Sequence, residues 1–200
     1  MNSSIQWVSI PRVRTKENMT LSTDSSFKVA TGPSGRAIAE PMQEELVEAL
    51  LQHLTIERNA SAQYFAISLW FAERELRGFS SFFKKESVSE QEHANKFSEY
   101  LIARGQSVLL EELKVPLQAW NDIEEIFSAS FQMEADVTTS LQQLYATADR
   151  DSDFRTNVFL DPIIEDQIAS ENEFAYLLGR VKFAQCQPAA LLIIDAELNG

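Results

Sequence analysis

Residues 86–97 read ESVSEQEHANKF. On an α-helix, positions i, i+3 and i+4 share one face. That spacing puts Glu86, Glu90 and His93 on a single stripe, with Phe83 before them and Phe97 and Leu101 after. An amphipathic helix turns such a stripe toward the core. Two carboxylates and an imidazole therefore stand where the pattern asks for apolar side chains.

The flanking sequence carries the same helical period. Leu46, Leu50, His53/Leu54, Glu57, Ala60/Ser61, Tyr64 and Phe71 mark a first helix over about 42–72, and Pro41 suits its first turn. The break ERELRG leads to a second helix over about 78–104, which Gly105 should stop. Residues 105–120 include Pro116 and read as an irregular crossing segment. Asn121 with Glu124 suggests the cap of a third helix, about 122–149. DRDSD at 149–153 is a polar turn, and a fourth helix follows over about 153–184, with a kink expected at Pro162. Pro188 opens a short fifth helix to about 198. Short, long, short connections make an all-α four-helix bundle with one long crossover.

Each long helix repeats the anomaly of 86–97. Glu57 interrupts the first stripe, and Tyr64 follows it. Glu134 interrupts Ile123, Ile126/Phe127, Ser130, Val137, Leu141 and Leu144 on the third. Gln167 and Glu171 interrupt Leu160, Ile164, Phe174 and Leu178 on the fourth. Burying one unpaired carboxylate costs several kcal/mol, and the stripes hold too few basic residues to neutralise three. A metal neutralises them directly. Carboxylates with one imidazole suit iron or manganese and also accept zinc, and a bridging carboxylate set suits two metals. His53 has no partner in this pattern and reads as a surface or interface residue. Cys186 reads as an inert thiol near the end of the fourth helix.

Composition sets the outer bounds. The chain has 200 residues and a net charge of −13. Residues 1–36 carry +3 and residues 37–200 carry −16. An acidic folded part argues against nucleic acid and anionic membrane as partners and favours cations. No apolar run approaches the roughly 20 residues of a membrane helix. One cysteine permits no internal disulfide, which fits a reducing, cytoplasmic setting. Residues 1–36 lack a period and are read as a flexible N-terminal tail ahead of a bundle domain, 37–200. Their basic, Ser-rich composition is that of a targeting peptide, against which Glu17 and Asp24 count.

At this point the chain resembles the ferritins. The resemblance runs through LTIERNASAQYFAISLWFAERELRGFSSFFKKES, SEQEHANKF, FQMEAD and FLDPIIEDQIASENEFAYLLGRVKFA, and it is closest to cyanobacterial ferritins. It covers about residues 36–198. It implies a ferritin-like bundle, a homo-oligomeric cage of twenty-four subunits and a di-iron ferroxidase centre in each subunit, where dioxygen oxidises Fe(II). It further implies that Glu57, Glu90 and His93 hold the first iron, that Glu90 bridges, and that Glu134 completes the second iron with Gln167 nearby. Tyr64 matches the tyrosine beside the centre, as electron donor or as a hydrogen-bond partner of Glu134. Glu86, one turn before Glu90, is a candidate for passing iron inward.

Departures from relatives narrow the reading. No histidine follows His93, so a second ExxH motif is absent. Gln91 stands where haem-binding bacterioferritins carry methionine, which implies no haem. A cysteine-rich iron site is excluded by the single cysteine. Ser89, Ala169 and Ser170 occupy positions that supply a third iron site in other bacterial ferritins. The acidic pair lining three-fold pores in animal ferritins corresponds to Asn157 and Leu160, which leaves Asp161 and Glu165 as the carboxylates for iron transit there. Two other readings of the same residues stay open: a di-iron oxidase or oxygenase acting on an organic substrate, and a metal-free structural shell.

Overall fold

The computed structural model describes residues 29–199; the reading of 1–28 as tail lies outside it. Five helices follow in order: α1 Glu44–Ala72, α2 Arg77–Ala103, α3 Ile123–Arg150, α4 Phe154–Ala184 and α5 Pro188–Leu198. α1 packs chiefly on α2 and α3 on α4, α1 also meets α3, and α5 lies across α2 with a smaller contact to α4. Residues 104–122 connect the two antiparallel pairs. This is the four-helix bundle with a long crossover and a short C-terminal helix.

The helix ends show why the boundaries fall where they do. α2 ends in a Schellman motif: Gly105 is left-handed at φ 78°, its N–H donates to Ile102 O, and Gln106 N donates to Leu101 O. Asp122, not Asn121, caps α3. Its side chain accepts from Glu125 N at 2.8 Å, while Glu125 reaches back to Asn121 N at 2.7 Å. The cap lies one residue later than the spacing suggested, because Asp122 can place an oxygen on the third helical N–H, and the return contact from Glu125 falls on the residue before the cap. Pro41 does not open α1. The helix starts at Glu44 after an extended Gln43, and Pro41 sits in the preceding segment. α4 runs continuously from Phe154 to Ala184 across Pro162.

Residues 30–38 make a tight bend rather than a helix. Ile38 N donates to Ala30 O, and Ser34 donates through both N–H and hydroxyl to Gly105 O. A Cβ on Gly32 would stand 2.3 Å from Gly105 O, so the close approach requires glycine there. The segment ahead of α1 is thereby pinned to the end of α2.

The core divides into two apolar clusters. One is aromatic: Tyr64, Phe71, Phe79, Phe83, Phe127 and Phe174, closed by Leu191 and Ile194 of α5. The other is mostly aliphatic: Leu46, Leu50, Leu54, Phe97, Leu101, Val137, Leu141, Leu144 and Leu160. Each fully buried side chain of this size contributes about 1.5–3 kcal/mol. Between the clusters, along all four helices, lies a layer of polar groups. Glu57 falls between Leu54 and Ala60, Glu90 between Phe83 and Phe97, Glu134 between Phe127 and Val137, and Gln167 between Ile163 and Phe174.

Candidate metal centre

Glu57, Glu90 and Glu134 are 1%, 4% and 2% exposed, so none is a solvated surface charge. Gln167 is buried too, and the His93 side chain is 13% exposed. The helical stripes bring these five residues together as their spacing predicts. The buried arginine among the described residues, Arg104, is engaged elsewhere by Asp153. The layer therefore holds three carboxyls with no lysine or arginine to balance them.

One ligand atom each from Glu57, Glu90 and His93 lies within 4.8 Å of the others. His93 Nδ1 stands 2.9 Å from Glu90 Oε2. Both oxygens of Glu57 are buried without an aligned hydrogen-bond partner. Glu134 is held from two sides: the Tyr64 hydroxyl donates to Oε1, and Gln167 Nε2 donates to Oε2 at 2.9 Å. Tyr64 is itself fully buried and stacks on Phe174 with ring centres 5.4 Å apart. Burial and the Glu134 carboxylate push its phenol well above the usual tyrosine range.

The electrostatics follow from crowding in a dry layer. Burial raises Glu90 to about 8, the neighbouring Glu57 and Glu134 adding to the effect against the hydrogen bond from His93. Burial also raises Glu134, against the donors Tyr64 and Gln167. Burial acts upward on Glu57 as well, but His53, Glu90 and His93 outweigh it and hold that carboxyl low. The hydrogen bond to Glu90 raises His93. The site thus disfavours full ionisation of its carboxyls, most plainly at Glu90. A divalent cation reverses that preference by supplying the missing positive charge. Oxygen donors with one imidazole fit such an ion.

Glu86 is half-buried one turn before Glu90, and burial with Glu134 and Glu173 raises it to about 7. Asp161 and Glu165 are exposed on α4, away from the buried layer. Asp161 borders a groove shared with Gln142, Tyr145 and Asp149. Asn157 and Leu160 are buried inside the subunit. Glu171 is half-buried and accepts from the Thr138 hydroxyl rather than joining the buried carboxyls. The buried apolar face of α4 uses Ile163 and Leu177 in place of the expected Ile164 and Leu178, which are partly buried.

His53 overturns its surface reading. It is fully buried, with Nε2 2.9 Å from Glu57 Oε1 and Nδ1 2.8 Å from Ser140 Oγ. The signal was present: His53 sits one turn before Glu57 on the same inward stripe. Its second partner, 87 positions away on α3, was not visible in the helical period. Cys186 is exposed in the break between α4 and α5.

A buried carboxylate–histidine layer across a four-helix bundle with one long crossover defines a metal-handling bundle protein. The family model described as "Ferritin-like domain" matches residues 47–184. A ferritin of Pacifastacus leniusculus is 30% identical over 156 residues, covering 76% of this chain and 86% of that one. A bacterial non-heme ferritin of Staphylococcus epidermidis is 29% identical over 133 residues, covering 66% and 80%. Among solved structures, an open-pore ferritin from the archaeon Archaeoglobus fulgidus superposes with a TM-score of 0.76 at 26% identity, covering 78% of this chain and 97% of its own. The chain belongs to the ferritin family. No helix among the described residues is long and apolar enough to cross a membrane.

Proposed function

We propose that the protein oxidises Fe(II) to Fe(III) with dioxygen at a two-iron centre within each subunit, and that it stores the ferric product in a cage of twenty-four subunits. The observation that carries this reading is the charge imbalance of the layer. Three buried carboxyls share the layer with two histidines and no lysine or arginine, and neither oxygen of Glu57 has an aligned hydrogen-bond partner. In this reading Glu57, Glu90 and His93 take the first Fe(II). Glu90 and Glu134 take the second, with Gln167 at its edge. Each Fe(II) gives up one electron, and dioxygen accepts both. Tyr64 supports Glu134 through its hydroxyl, so orientation alone accounts for its place. Glu86 passes iron toward Glu90, and Asp161 with Glu165 offers carboxylates on the route from outside.

Aerobic addition of Fe(II) to metal-free protein tests the proposal. A fast absorbance phase saturating at two irons per subunit is expected, and Glu90→Ala should lack it. The relay assigned to Glu86 fails on its own if Glu86→Ala oxidises iron at the normal rate. No fast phase in the unsubstituted protein would remove the ferroxidase reading.

A further inference from the structure

We propose that His53 is a positioning residue for Glu57: it fixes which carboxylate oxygen faces the metal, and Ser140 fixes His53. This inference rests on the metal-centre reading above. It starts from a fully buried imidazole that reading leaves idle. The ring is held from three directions. Phe97 packs against it with ring centres 4.5 Å apart at 51°. Ser140 Oγ contacts Nδ1 at 2.8 Å, and Glu57 Oε1 stands 2.9 Å from Nε2.

The chemistry of these partners sets the tautomer. An ionised carboxylate accepts hydrogen bonds and donates none. A bare Nε2 lone pair would face the Glu57 oxygen and repel it. Nε2 therefore carries the hydrogen, and the Nδ1 contact with the Ser140 hydroxyl holds the ring in that orientation. The Nε2–Oε1 contact is close but off the hydrogen-bond line, and neither atom has an aligned partner elsewhere. A cation drawn to Oε2 leaves Oε1 facing the Nε2–H. His53 thus favours one-oxygen ligation by Glu57 and keeps that oxygen from swinging away. Outer partners of metal-binding side chains are worth about 10–100-fold in metal affinity.

Ser140 makes the arrangement testable without disturbing the core. It lines a surface groove of about 350 Å³ between α1 and α3, beside Gln52, Ile56 and Thr139. Loss of its hydroxyl removes one hydrogen bond and leaves the packing of His53 on Phe97 in place.

The test is calorimetric titration of Zn(II) into the metal-free assembled protein, a readout independent of oxidation. His53→Leu keeps the apolar contacts and removes both nitrogens. It is expected to weaken one of the Zn(II) sites at least tenfold. His53→Gln can still donate to Glu57 and accept from Ser140, and it should recover most of that loss. Ser140→Ala should weaken the same site by about fivefold, the worth of one hydrogen bond. Unchanged affinity in His53→Leu overturns the proposal, as does a His53→Gln variant no better than His53→Leu. If His53→Leu fails to assemble, Ser140→Ala decides, because unchanged Zn(II) affinity there also overturns it. Absence of Zn(II) binding in the unsubstituted protein, or undiminished binding in Glu57→Ala, would instead overturn the metal centre and this inference with it.

Discussion

Two of the places where the described residues bury charge treat it in opposite ways. Where α2 ends and α4 begins, Arg104 meets Asp153 through two parallel contacts, Nη1–Oδ1 at 2.9 Å and Nη2–Oδ2 at 2.7 Å. Asp153 also caps α4 by accepting from Thr156 N, and Tyr100 shares the guanidinium. Every charge there has its opposite. In the bundle middle, Glu57, Glu90 and Glu134 are as deeply buried but lean on neutral donors and histidines. The first cluster is complete as folded. The second has no such balance among its own side chains. A balanced ion pair holds two elements together, whereas an unbalanced set is retained at a cost to stability, which is the mark of a site.

The sharpest way to break this comparison is to remove one carboxylate from each cluster. Asp153→Ala leaves Arg104 buried and unpaired and costs about 3–5 kcal/mol. Glu90→Ala removes a carboxyl that burial already disfavours, so the metal-free protein should melt no lower than the unsubstituted one after allowance for lost packing. Thermal unfolding of the metal-free proteins checks both. Comparable losses from the two substitutions would mean that the central layer is structural.

Metal addition should separate the clusters next. Zn(II) at 100 times its dissociation constant stabilises the folded state by about 2.7 kcal/mol per site. The melting temperature of the unsubstituted protein should rise accordingly. Asp153→Ala should keep the increment, and Glu90→Ala should lose most of it. An equal increment in Glu90→Ala would place the metal elsewhere.

Proton binding gives opposite slopes. Burial pushes folded Glu90 up to about 8 and Glu86 up to about 7, against 4.5 for an ordinary glutamate. Between those values the folded state holds protons the unfolded chain has released. Their contribution to metal-free stability is therefore full at low pH and is lost as pH rises through that window. Asp153 behaves the other way. Burial would raise it, but Arg104 outweighs burial and holds it below its ordinary 3.8. Its contribution is present above that value and is lost as pH falls through the folded one. Melting temperatures of the metal-free protein should thus decline from about pH 5 to about pH 8, and Glu90→Gln should flatten the decline. A slope untouched by Glu90→Gln would show that Glu90 is not the proton holder.

The two clusters also differ in how much of them the sequence discloses. Glu57, Glu90, His93, Glu134 and Gln167 sit on apolar stripes, so the helical period alone brings them inward. The family resemblance supplies the roles proposed for them. The bundle and its crossover follow from the same period and from three connection lengths. Arg104 and Asp153 lie at helix ends, where periodicity stops, and DRDSD reads as a plain polar turn. Their pairing spans 49 positions and joins the end of α2 to the start of α4. Asp195 is hidden for the same reason. It caps α2 from α5 by accepting from Phe79 N at 2.8 Å, over a glycine whose added Cβ would stand 1.7 Å from Asp195 O. His53 lay on the stripe, but its role needed Ser140 from another helix.

The smallest expected effect concerns how the central layer holds Glu134 without a counter-charge. Arg104 grips Asp153 with charge. Tyr64 and Gln167 grip Glu134 with two neutral donors, one on each oxygen. Removing one such donor costs about 1 kcal/mol, because the remaining donor still satisfies part of the carboxyl. Tyr64→Phe and Gln167→Ala should each lower metal-free stability by about that much. The double substitution should cost more than their sum, since it leaves a buried carboxyl with no donor. Chemical denaturation of the four proteins measures the coupling. Strict additivity would mean that Glu134 finds another partner when both are gone. If the coupling is present, Tyr64 earns its place by holding Glu134, and its hydroxyl needs no redox role to explain why a tyrosine stands among phenylalanines.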